Sequence, residues 1–460
     1  MSKKVSFLEA AIIFAIMLSL IGVSVIKFGL SPMTPIIVSL ALIMLWSQFK
    51  GFSWKDVNQG ISEGISTGII PMVIFLLIGA LIASWIAAGI IPAMMVVGFK
   101  LVSTKIFVPS TFLVCAIIGT SIGSAFTTAS TVGLALMGMG TALGFNPALI
   151  AGAVISGSVF GDKMSPLSDT TNLAAAVAGT DLFKHIKNMM WTTIPALVIS
   201  FLLYLFLGSQ ANVTTSANQI NDLTATLQDN FTIGWWSSLP IIVMVVCSLY
   251  KIPAVATLLL NISLSIGLFI LQTPGVKLTE VANIIENGFV STTGVASIDS
   301  LLSRGGLMSM MGSIALIILT LALGGLLMEF GIIETLMAPL ALKLTSAGKL
   351  VSATVLGGVL ANIMIGEQYL SIILPGKALK PSFDKTDLDP SVLSRALEDS
   401  GTVLNTLIPW GVSGVFMANT LGVPTLAYLP FCFFSLLCPF LSILSGFTGI
   451  GISYKTRPAN

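Results

Sequence analysis

A run of oxygen-bearing side chains interrupts an otherwise apolar stretch in the middle of the chain. Residues 157–174 read GSVFGDKMSPLSDTTNLA, and the sequence on either side is apolar enough for a membrane helix. Pro166 cannot donate a backbone hydrogen bond, so carbonyl groups before it are left free. Such carbonyls, with carboxylate, hydroxyl and amide oxygens, are ligands that Na⁺ accepts. We therefore expect residues 161–172 to be the unwound centre of a helix whose oxygens face an ion. The candidate ligands are Asp162, Ser168, Asp169, Thr170, Thr171 and Asn172.

The two carboxylates of this run differ in their neighbours. Asp169 has no adjacent cation and is the expected direct ligand or proton carrier. Asp162 precedes Lys163 and is expected to pair with it, so that its loss would be the milder one. The alternative is a polar loop at a helix end, in which Lys163 simply neutralises Asp162. Each charge in a spanning segment costs about 2.5 to 3.5 kcal/mol, which favours the functional interpretation.

A second polar run, ALEDSGTVLNTLIPWGVSG, lies in the other half of the chain and ends near Pro409. Arg395, Glu398 and Asp399 have a competing and stronger interpretation as the solvated start of a helix with acidic residues in the first turn. The later amide and hydroxyl side chains lie deeper in the apolar sequence and are better placed to face an ion. The candidates here are Asp399, Thr402, Asn405 and Thr406.

Two further stretches are predicted to double back within the membrane and to face these breaks. GTSIGSAFTTASTVG, residues 119–133, consists mostly of small and hydroxyl residues, which equally suit close helix packing. ANIMIGEQYLSIILPG, residues 361–376, carries an acid in very apolar surroundings. Such an acid either exchanges protons or is neutralised by a bound cation. The candidates on the two stretches are Ser124, Thr127, Thr128, Asn362, Glu367 and Gln368.

The composition identifies an integral membrane protein. Of 460 residues, 55% are hydrophobic and 9% are charged, against roughly 25% charged residues in a soluble domain. Mean hydropathy is +1.00, and apolar runs of about 20 residues predict helices rather than barrel strands.

Four cysteines without a C-x-x-C pair argue against zinc, haem or a disulfide framework, and His185, beside two lysines, is expected at the membrane interface. A net charge of +2 argues against nucleic acid. No hydrolase or nucleotide-binding motif occurs, so we expect neither an enzyme nor a cofactor.

An internal repeat divides the chain. Residues 103–136 align without a gap over 346–379, which sets Gly123 opposite Gly366. Further along, Asp162 falls opposite Asp399. The same order of several matching blocks indicates two structural repeats.

The distribution of basic residues predicts how these repeats lie in the membrane. Lysines at 3, 4, 50, 55 and 251 mark cytoplasmic segments, whereas residues 209–232 contain no Lys or Arg and are expected outside. The repeats then run in opposite directions, and both termini are cytoplasmic. Predicted helices cover 6–27, 31–48, 69–93, 189–208, 233–250 and 253–272, with a doubling-back stretch at 104–142, a helix interrupted at 160–170 and interfacial helices at 52–68 and 278–308. The predicted units are two N-terminal helices (1–50), a first repeat (51–208), an extracellular loop with two linking helices (209–276), a second repeat (277–448) and a cytoplasmic tail (449–460).

The motifs GDKMSPLSDTTNLA and GEQYLSIILPGKAL resemble those of NhaC-type sodium/proton antiporters, and the resemblance extends over essentially the whole chain. It implies an all-α polytopic membrane protein with two inverted-topology repeats, each with a re-entrant hairpin and a discontinuous transmembrane helix. It also implies a homodimer that moves by an elevator-like displacement. The family includes Na⁺/H⁺ exchangers and antiporters that exchange malate and protons for lactate and Na⁺, and no residue here separates these groups.

The residues and the resemblance together predict a multi-pass antiporter of the bacterial cytoplasmic membrane that exchanges Na⁺ for H⁺. Competition of Na⁺ and H⁺ for one set of carboxylates would make the exchange obligatory. The expected Na⁺ ligands are Asp169, Asp162 and Glu367. The alternative is a malate-2H⁺/Na⁺-lactate type of exchange, in which half-helix N-termini bind the organic acid.

Overall fold

The computed structural model describes residues 5–101, 106–210, 217–341 and 344–455, and these residues are overwhelmingly α-helical. A single β-bridge, between Leu388 and Tyr454, joins the end of the chain to an internal loop. The α-helices are α1 Phe7–Ile26, α2 Met33–Lys50, α3 Trp54–Ser66, α4 Ile69–Ala87, α5 Ile90–Leu101, α6 Phe107–Ile122, α7 Ala125–Thr128, α8 Leu134–Ala142, α9 Pro147–Met164, α10 Asp169–Ala178, α11 Leu182–Gln210, α12 Ala217–Asn230, α13 Leu239–Leu249, α14 Ala254–Gln272, α15 Leu278–Asn287, α16 Ala296–Leu302, α17 Met311–Glu329, α18 Ile332–Met337, α19 Ala347–Ile365, α20 Gln368–Asp384, α21 Pro390–Gly401, α22 Val412–Leu421, α23 Thr425–Tyr428 and α24 Phe433–Thr448.

Seven helices among the described residues are long and apolar enough to cross a membrane, and three bent helix pairs could bring the number to 10. One of these pairs, Pro390–Leu407 with Val412–Leu421, bends by 45°. The predicted all-α class of polytopic membrane protein is confirmed, and the described residues include helix pairs that are broken and bent. Lys3, Lys4 and residues 456–460, which entered the topology argument, lie outside the described residues.

The tips of the two hairpins have the same local structure. Gly123 follows the end of α6 and Gly366 follows the end of α19, each with a positive φ (75° and 71°) that glycine adopts without strain. The next residue caps the following helix: Ser124 accepts a hydrogen bond from the amide of Thr127, and Glu367 accepts one from the amide of Leu370. These are the positions that the ungapped alignment of the repeats superimposes.

The two broken helices also begin alike. Asn146 caps α9 and Asp389 caps α21, and each cap is followed by a proline at the first helical position, where the missing amide hydrogen costs nothing. The first break is shorter than predicted. Asp162 and Lys163 are still helical, and Ser168 caps a new helix whose first residue is Asp169, so only residues 165–168 are unwound.

Two predicted elements differ from the structure. Residues 209–232, expected to be an extended loop, contain α12, which buries Leu227; its polar composition concealed an amphipathic pattern. The predicted helix 233–250 begins with a 3₁₀ turn, Trp235–Ser238, and continues as the 11-residue α13. It is bent by 95° from the helix that precedes it.

α3, predicted to be an interfacial helix, packs its glycines directly against α17. A Cβ on Gly64 would lie 2.8 Å from the Cα of Gly325, so neither position has space for a side chain. The same principle joins α6 to α9 around the first break, where a Cβ on Gly161 would lie 2.5 Å from backbone atoms of Gly119. Small residues thus allow the hairpin and the broken helix to approach closely enough to position polar groups between them.

Replacement of Gly161 by alanine should push α9 away from α6. We expect a loss of about 1 to 3 kcal/mol in stability, because the added methyl group meets backbone that cannot rotate away. Thermal unfolding in detergent, followed by circular dichroism, measures the effect. The matched control is Gly312→Ala in α17, where the new Cβ has no atom within 4 Å. Equal melting temperatures for the two variants would contradict the packing argument.

Candidate functional site

The first break encloses one carboxylate and exposes another. Asp162, near the end of α9, is 8% exposed and lies beside the Ser168 hydroxyl and the backbone amide of Ala125 at the tip of the first hairpin. Asp169, at the start of α10, is exposed, yet it is close enough to Asp162 for their charges to repel. The site therefore has an inner and an outer acid.

Other side chains near the break donate hydrogen bonds to backbone carbonyl groups around it. Thr171 donates to the carbonyl of Lys163 at 3.1 Å, and the Asn172 amide donates to the carbonyls of Ser168 at 2.7 Å and Pro166 at 3.0 Å. The prediction that the carbonyls before Pro166 remain free is therefore wrong for the carbonyl of Lys163. These two side chains replace the hydrogen bonds that the proline and the unwound turn remove.

The hydroxyl of Thr170 faces the second broken helix instead of the backbone of the break. Its hydroxyl lies 3.1 Å from the Ser168 hydroxyl and 3.3 Å from a carboxylate oxygen of Glu398, which belongs to the second broken helix. The hydroxyl of Ser168 also accepts the amide hydrogen of Thr171 and so caps α10. Ser168 and Thr170 thus connect the two broken helices.

The second hairpin brings a third acid to the first break. Glu367 is 1% exposed, and it accepts the backbone amide of Leu370 at 2.8 Å. Tyr369 is close enough to Glu367, Asp162 and Asp169 for all three to act on its hydroxyl group. Two acids of the first repeat and one of the second are therefore near enough to one tyrosine to influence it electrostatically.

These three acids have no basic partner in the described part of the chain, where the ion pairs involve other acidic residues. Nor do three or more His, Cys, Asp or Glu side chains of the described residues come close enough together to hold one metal ion. A cation here would combine one or two carboxylates with hydroxyl oxygens. Because uncompensated acids in a membrane are costly, such a site must take up either a cation or protons.

Lys163 does not pair with Asp162 as predicted. It forms an ion pair with Asp399 of α21 instead, and both side chains are completely buried. Asp399 also accepts a hydrogen bond from Thr192 of α11 at 3.2 Å, and the Lys163 ammonium group lies 3.8 Å from the sulfur of Cys438. A pair without water is tolerated only with such additional contacts, so Asp399 is committed to Lys163.

The residues before Asp399 are not the solvated helix start that the sequence suggested. Arg395 and Glu398 are both fully buried. Arg395 donates to the carbonyl of Gly451 at 2.9 Å and to the hydroxyl of Ser445 at 2.8 Å, which fastens the end of α24 to α21. The acidic and basic residues of this helix face neighbouring helices because α21 is enclosed on several sides.

His185 was also placed wrongly by the sequence. It is fully buried rather than interfacial, and its Nδ1 lies 2.7 Å from the hydroxyl of Ser394 on α21. The two lysines that flank it in sequence suggested exposure, but on a helix neighbouring residues point in different directions. Lys184 itself forms an ion pair with Asp389 at 2.5 Å, at the start of α21.

The predicted amides of the second repeat form a structural bridge. The Asn405 amide donates to Asn362 at 2.7 Å, and Asn362 donates to the carbonyls of Ser400 and Gly401. The Asn405 oxygen accepts the amide of Ser413 at 2.9 Å, so this pair closes the second break. Gln368 lies at its rim, where its oxygen accepts the Ser413 hydroxyl at 3.5 Å.

The hydroxyl residues of the first hairpin bond within their own turn. The hydroxyls of Thr127 and Thr128 contact the side chain and the carbonyl of Ser124, at 3.2 and 2.9 Å. Thr402 and Thr406, predicted in the second break, are buried there, and the carbonyl of Thr406 accepts the Tyr428 hydroxyl at 2.6 Å.

Sequence reasoning underrated Glu398 and did not select Tyr369 or Thr192. Tyr369 follows Glu367 within a quoted motif, and this adjacency was a usable signal. Glu398 and Thr192 had no such signal, because their partners lie 228 and 207 positions away.

Comparison with known proteins agrees with this architecture. Residues 157–450 match the Na⁺/H⁺ antiporter family. The chain is 40% identical over its full length to the Na⁺/H⁺ antiporter NhaC of Alkalihalophilus pseudofirmus and covers 99% of that protein. It is 36% identical to the arginine/ornithine antiporter ArcD of Halobacterium salinarum, over 97% of this chain and 93% of that one. It is 33% identical to the malate-2H⁺/Na⁺-lactate antiporter of Bacillus subtilis, over 97% of this chain and 95% of that one.

The family match covers more than half of the chain, and the relatives align with nearly all of it. These matches confirm the resemblance that the two sequence motifs indicated. The chain belongs to the Na⁺/H⁺ antiporter family and is a multi-pass membrane transporter rather than an enzyme.

Proposed function

We propose that this chain exchanges Na⁺ for H⁺ at the first break, with Asp162 as the inner ligand and Asp169 and Glu367 as the acids that complete the site. The observation that carries the assignment is the group of three acids around Tyr369 without a basic partner. Lys163, which precedes the break on α9, forms an ion pair with Asp399 of α21. The negative charge of the site is therefore left for transported cations.

Exchange follows from competition at these carboxylates. A carboxylate that binds a dehydrated Na⁺ must be charged, and a protonated carboxyl group no longer supplies that charge. Empty and unprotonated, the acids would leave uncompensated charges in the membrane, which is costly. The low-energy states are thus the Na⁺-loaded and the protonated ones, and alternation between them couples the two ions.

The difference in exposure between Asp169 and Asp162 indicates the order in which they meet the ion. Asp169 is exposed at the start of α10 and meets the ion first, whereas Asp162 is enclosed by Ser168 and the hairpin tip. Asp162 is therefore the ligand that replaces water in the occluded site. This reverses the ranking of the two acids made from sequence, because the expected neutralisation of Asp162 by Lys163 does not occur.

We assign the predicted repeats 51–208 and 277–448 to two halves that run in opposite directions, with both termini in the cytoplasm of a bacterial cell. The distribution of lysine and arginine supports this orientation, since residues 209–232 contain neither. A homodimer and an elevator-like movement are part of the same proposal and are supported by the family resemblance.

In proteoliposomes containing the purified protein, an imposed Na⁺ gradient should drive protons in the opposite direction. A pH-sensitive dye inside the vesicles reports this movement, and vesicles without protein are the control. Addition of malate or lactate should leave the Na⁺ flux unchanged, because both are anions and the acids of the first break accept cations. Absence of any Na⁺-dependent pH change would remove the assignment, and stimulation by malate or lactate would favour organic-acid exchange.

The two aspartates of the break should respond differently to amide substitution. Asp162→Asn should reduce exchange by about tenfold or more at every Na⁺ concentration, since the occluded ion loses its charged ligand. Asp169→Asn should raise the apparent KM for Na⁺ by about tenfold and allow exchange at high Na⁺, since an outer charge mainly concentrates the cation.

Initial rates across a range of Na⁺ concentrations measure both effects. The matched control is Asp222→Asn, which removes an exposed carboxylate of α12 far along the chain from the break. Normal exchange by Asp162→Asn, combined with complete loss in Asp169→Asn, would show that Asp169 is the occluded ligand.

A further inference from the structure

We propose that Phe126, at the tip of the first hairpin, closes the ion site on the side of α22, and that its packing on Phe75 and Phe416 prevents Na⁺ from passing without a proton in exchange. This inference rests on the proposed exchange and adds the residue that keeps it coupled. Coupling requires that the site is never open to both sides of the membrane at once. A closed side is therefore as necessary as the acids.

The two broken helices run antiparallel and lead to opposite ends of the protein. Their inner ends meet, because Lys163 near the end of α9 forms an ion pair with Asp399 near the end of α21. α21 begins beside the start of α11, where Lys184 forms an ion pair with Asp389. Since α11 follows α10 directly, α10 leads from the first break to the end of the protein at which α21 begins. α22 leads from the second break to the opposite end.

The first hairpin packs its tip onto the first break. A Cβ on Gly123 would lie 2.8 Å from the Cβ of Leu167 and 2.9 Å from the hydroxyl oxygen of Ser165, so the tip directly contacts the unwound residues. Phe126 follows three residues later, in α7. The backbone of the tip therefore holds the Phe126 side chain beside the site.

Three aromatic rings from three helices meet at this tip. The ring centroid of Phe126 lies 5.7 Å from that of Phe75 on α4 and 4.8 Å from that of Phe416 on α22. The centroids of Phe75 and Phe416 are 4.6 Å apart. Phe75 and Phe416 are completely buried, and Phe126 is half-buried. Rings at these separations attract one another beyond the area that they bury, and an apolar constriction excludes water and ions.

The equivalent positions of the second repeat are built differently. The ungapped alignment of the repeats sets Tyr369 opposite Phe126. Leu173, the fifth residue of α10, corresponds to Phe416, the fifth residue of α22. Tyr369 and Leu173 are both half-buried. These positions thus supply one ring with a polar hydroxyl and one aliphatic side chain, which is a weaker barrier than packed phenylalanine rings.

The α10 side of the site is accessible in this structure. Asp169, the first residue of α10, is exposed. A Na⁺ ion therefore reaches the acids from the α10 side, while the rings of Phe75, Phe126 and Phe416 close the way toward α22. During transport the seal opens when movement of the hairpin tip separates Phe126 from Phe416. Without the ring of Phe126, the site would be open to both sides at once.

Two fluxes measured on the same proteoliposomes test the seal. They are the entry of radioactive Na⁺ down its gradient and the exit of protons, with K⁺ and valinomycin present to prevent a build-up of charge. The ratio of protons to Na⁺ moved is independent of the amount of folded protein, so a merely structural defect leaves it unchanged. We expect Phe126→Ala to lower this ratio by about threefold or more, because Na⁺ passes through the gap without a proton.

Further variants identify the cause. Phe416→Ala opens the same cluster from α22 and should lower the ratio in the same way, whereas Phe126→Tyr keeps the ring and should retain the ratio of the unmodified protein. The matched control is Phe52→Ala. Phe52 is also half-buried among three rings, with centroids 6.1 Å from Trp46 and 4.6 Å from Phe330. Its replacement should leave the ratio unchanged.

An unchanged ratio in Phe126→Ala would overturn the seal, and Phe416→Ala decides the question in the same way where Phe126→Ala yields no folded protein. An equal fall of the ratio in Phe52→Ala would also overturn it, because it would indicate general loosening. If the unmodified protein moves no protons with Na⁺, the proposed function is rejected. The seal is then judged on Na⁺ entry alone, which Phe126→Ala should increase.

Discussion

The ion pair between Lys163 and Asp399 is the contact around which the two repeats are organised. Each residue lies within a broken helix, and each is completely buried. Removal of two charges from water costs several kcal/mol per ion, so either residue alone would strongly destabilise its surroundings. The pair therefore requires that the ends of α9 and α21 meet, and it fixes their relative rotation.

That rotation determines which neighbours the side chains on the other faces of α9 and α21 contact. With Lys163 directed at α21, Asp162 on the adjacent side of α9 points toward the first hairpin and the break. On α21, Glu398 comes within reach of Thr170. The same pair engages Lys163, and the acids near Tyr369 form no ion pair among the described residues.

The polar residues at the hairpin tips combine support and function. Ser124 and Glu367 occupy equivalent positions after a glycine with positive φ, and both cap the next helix. A serine cap is neutral and a glutamate cap can carry charge, so the two repeats use one scaffold for different purposes. The asymmetry places the hairpin acid in the second repeat and the aspartates of the break in the first.

The sequence by itself determined the membrane class, most of the long apolar helices and the place of the first break. These features follow from local causes: apolar runs of about 20 residues, glycines and prolines at the turns, and polar residues where a helix is interrupted. The alignment of Gly123 with Gly366 even located the hairpin tips. Tertiary structure decided which charges meet. Lys163 is next to Asp162 in sequence but pairs with Asp399, 236 positions away, because a helix directs consecutive side chains to different neighbours. The burial of Glu398, Arg395 and His185 was likewise unavailable to local reasoning, since it depends on the helices that enclose α21.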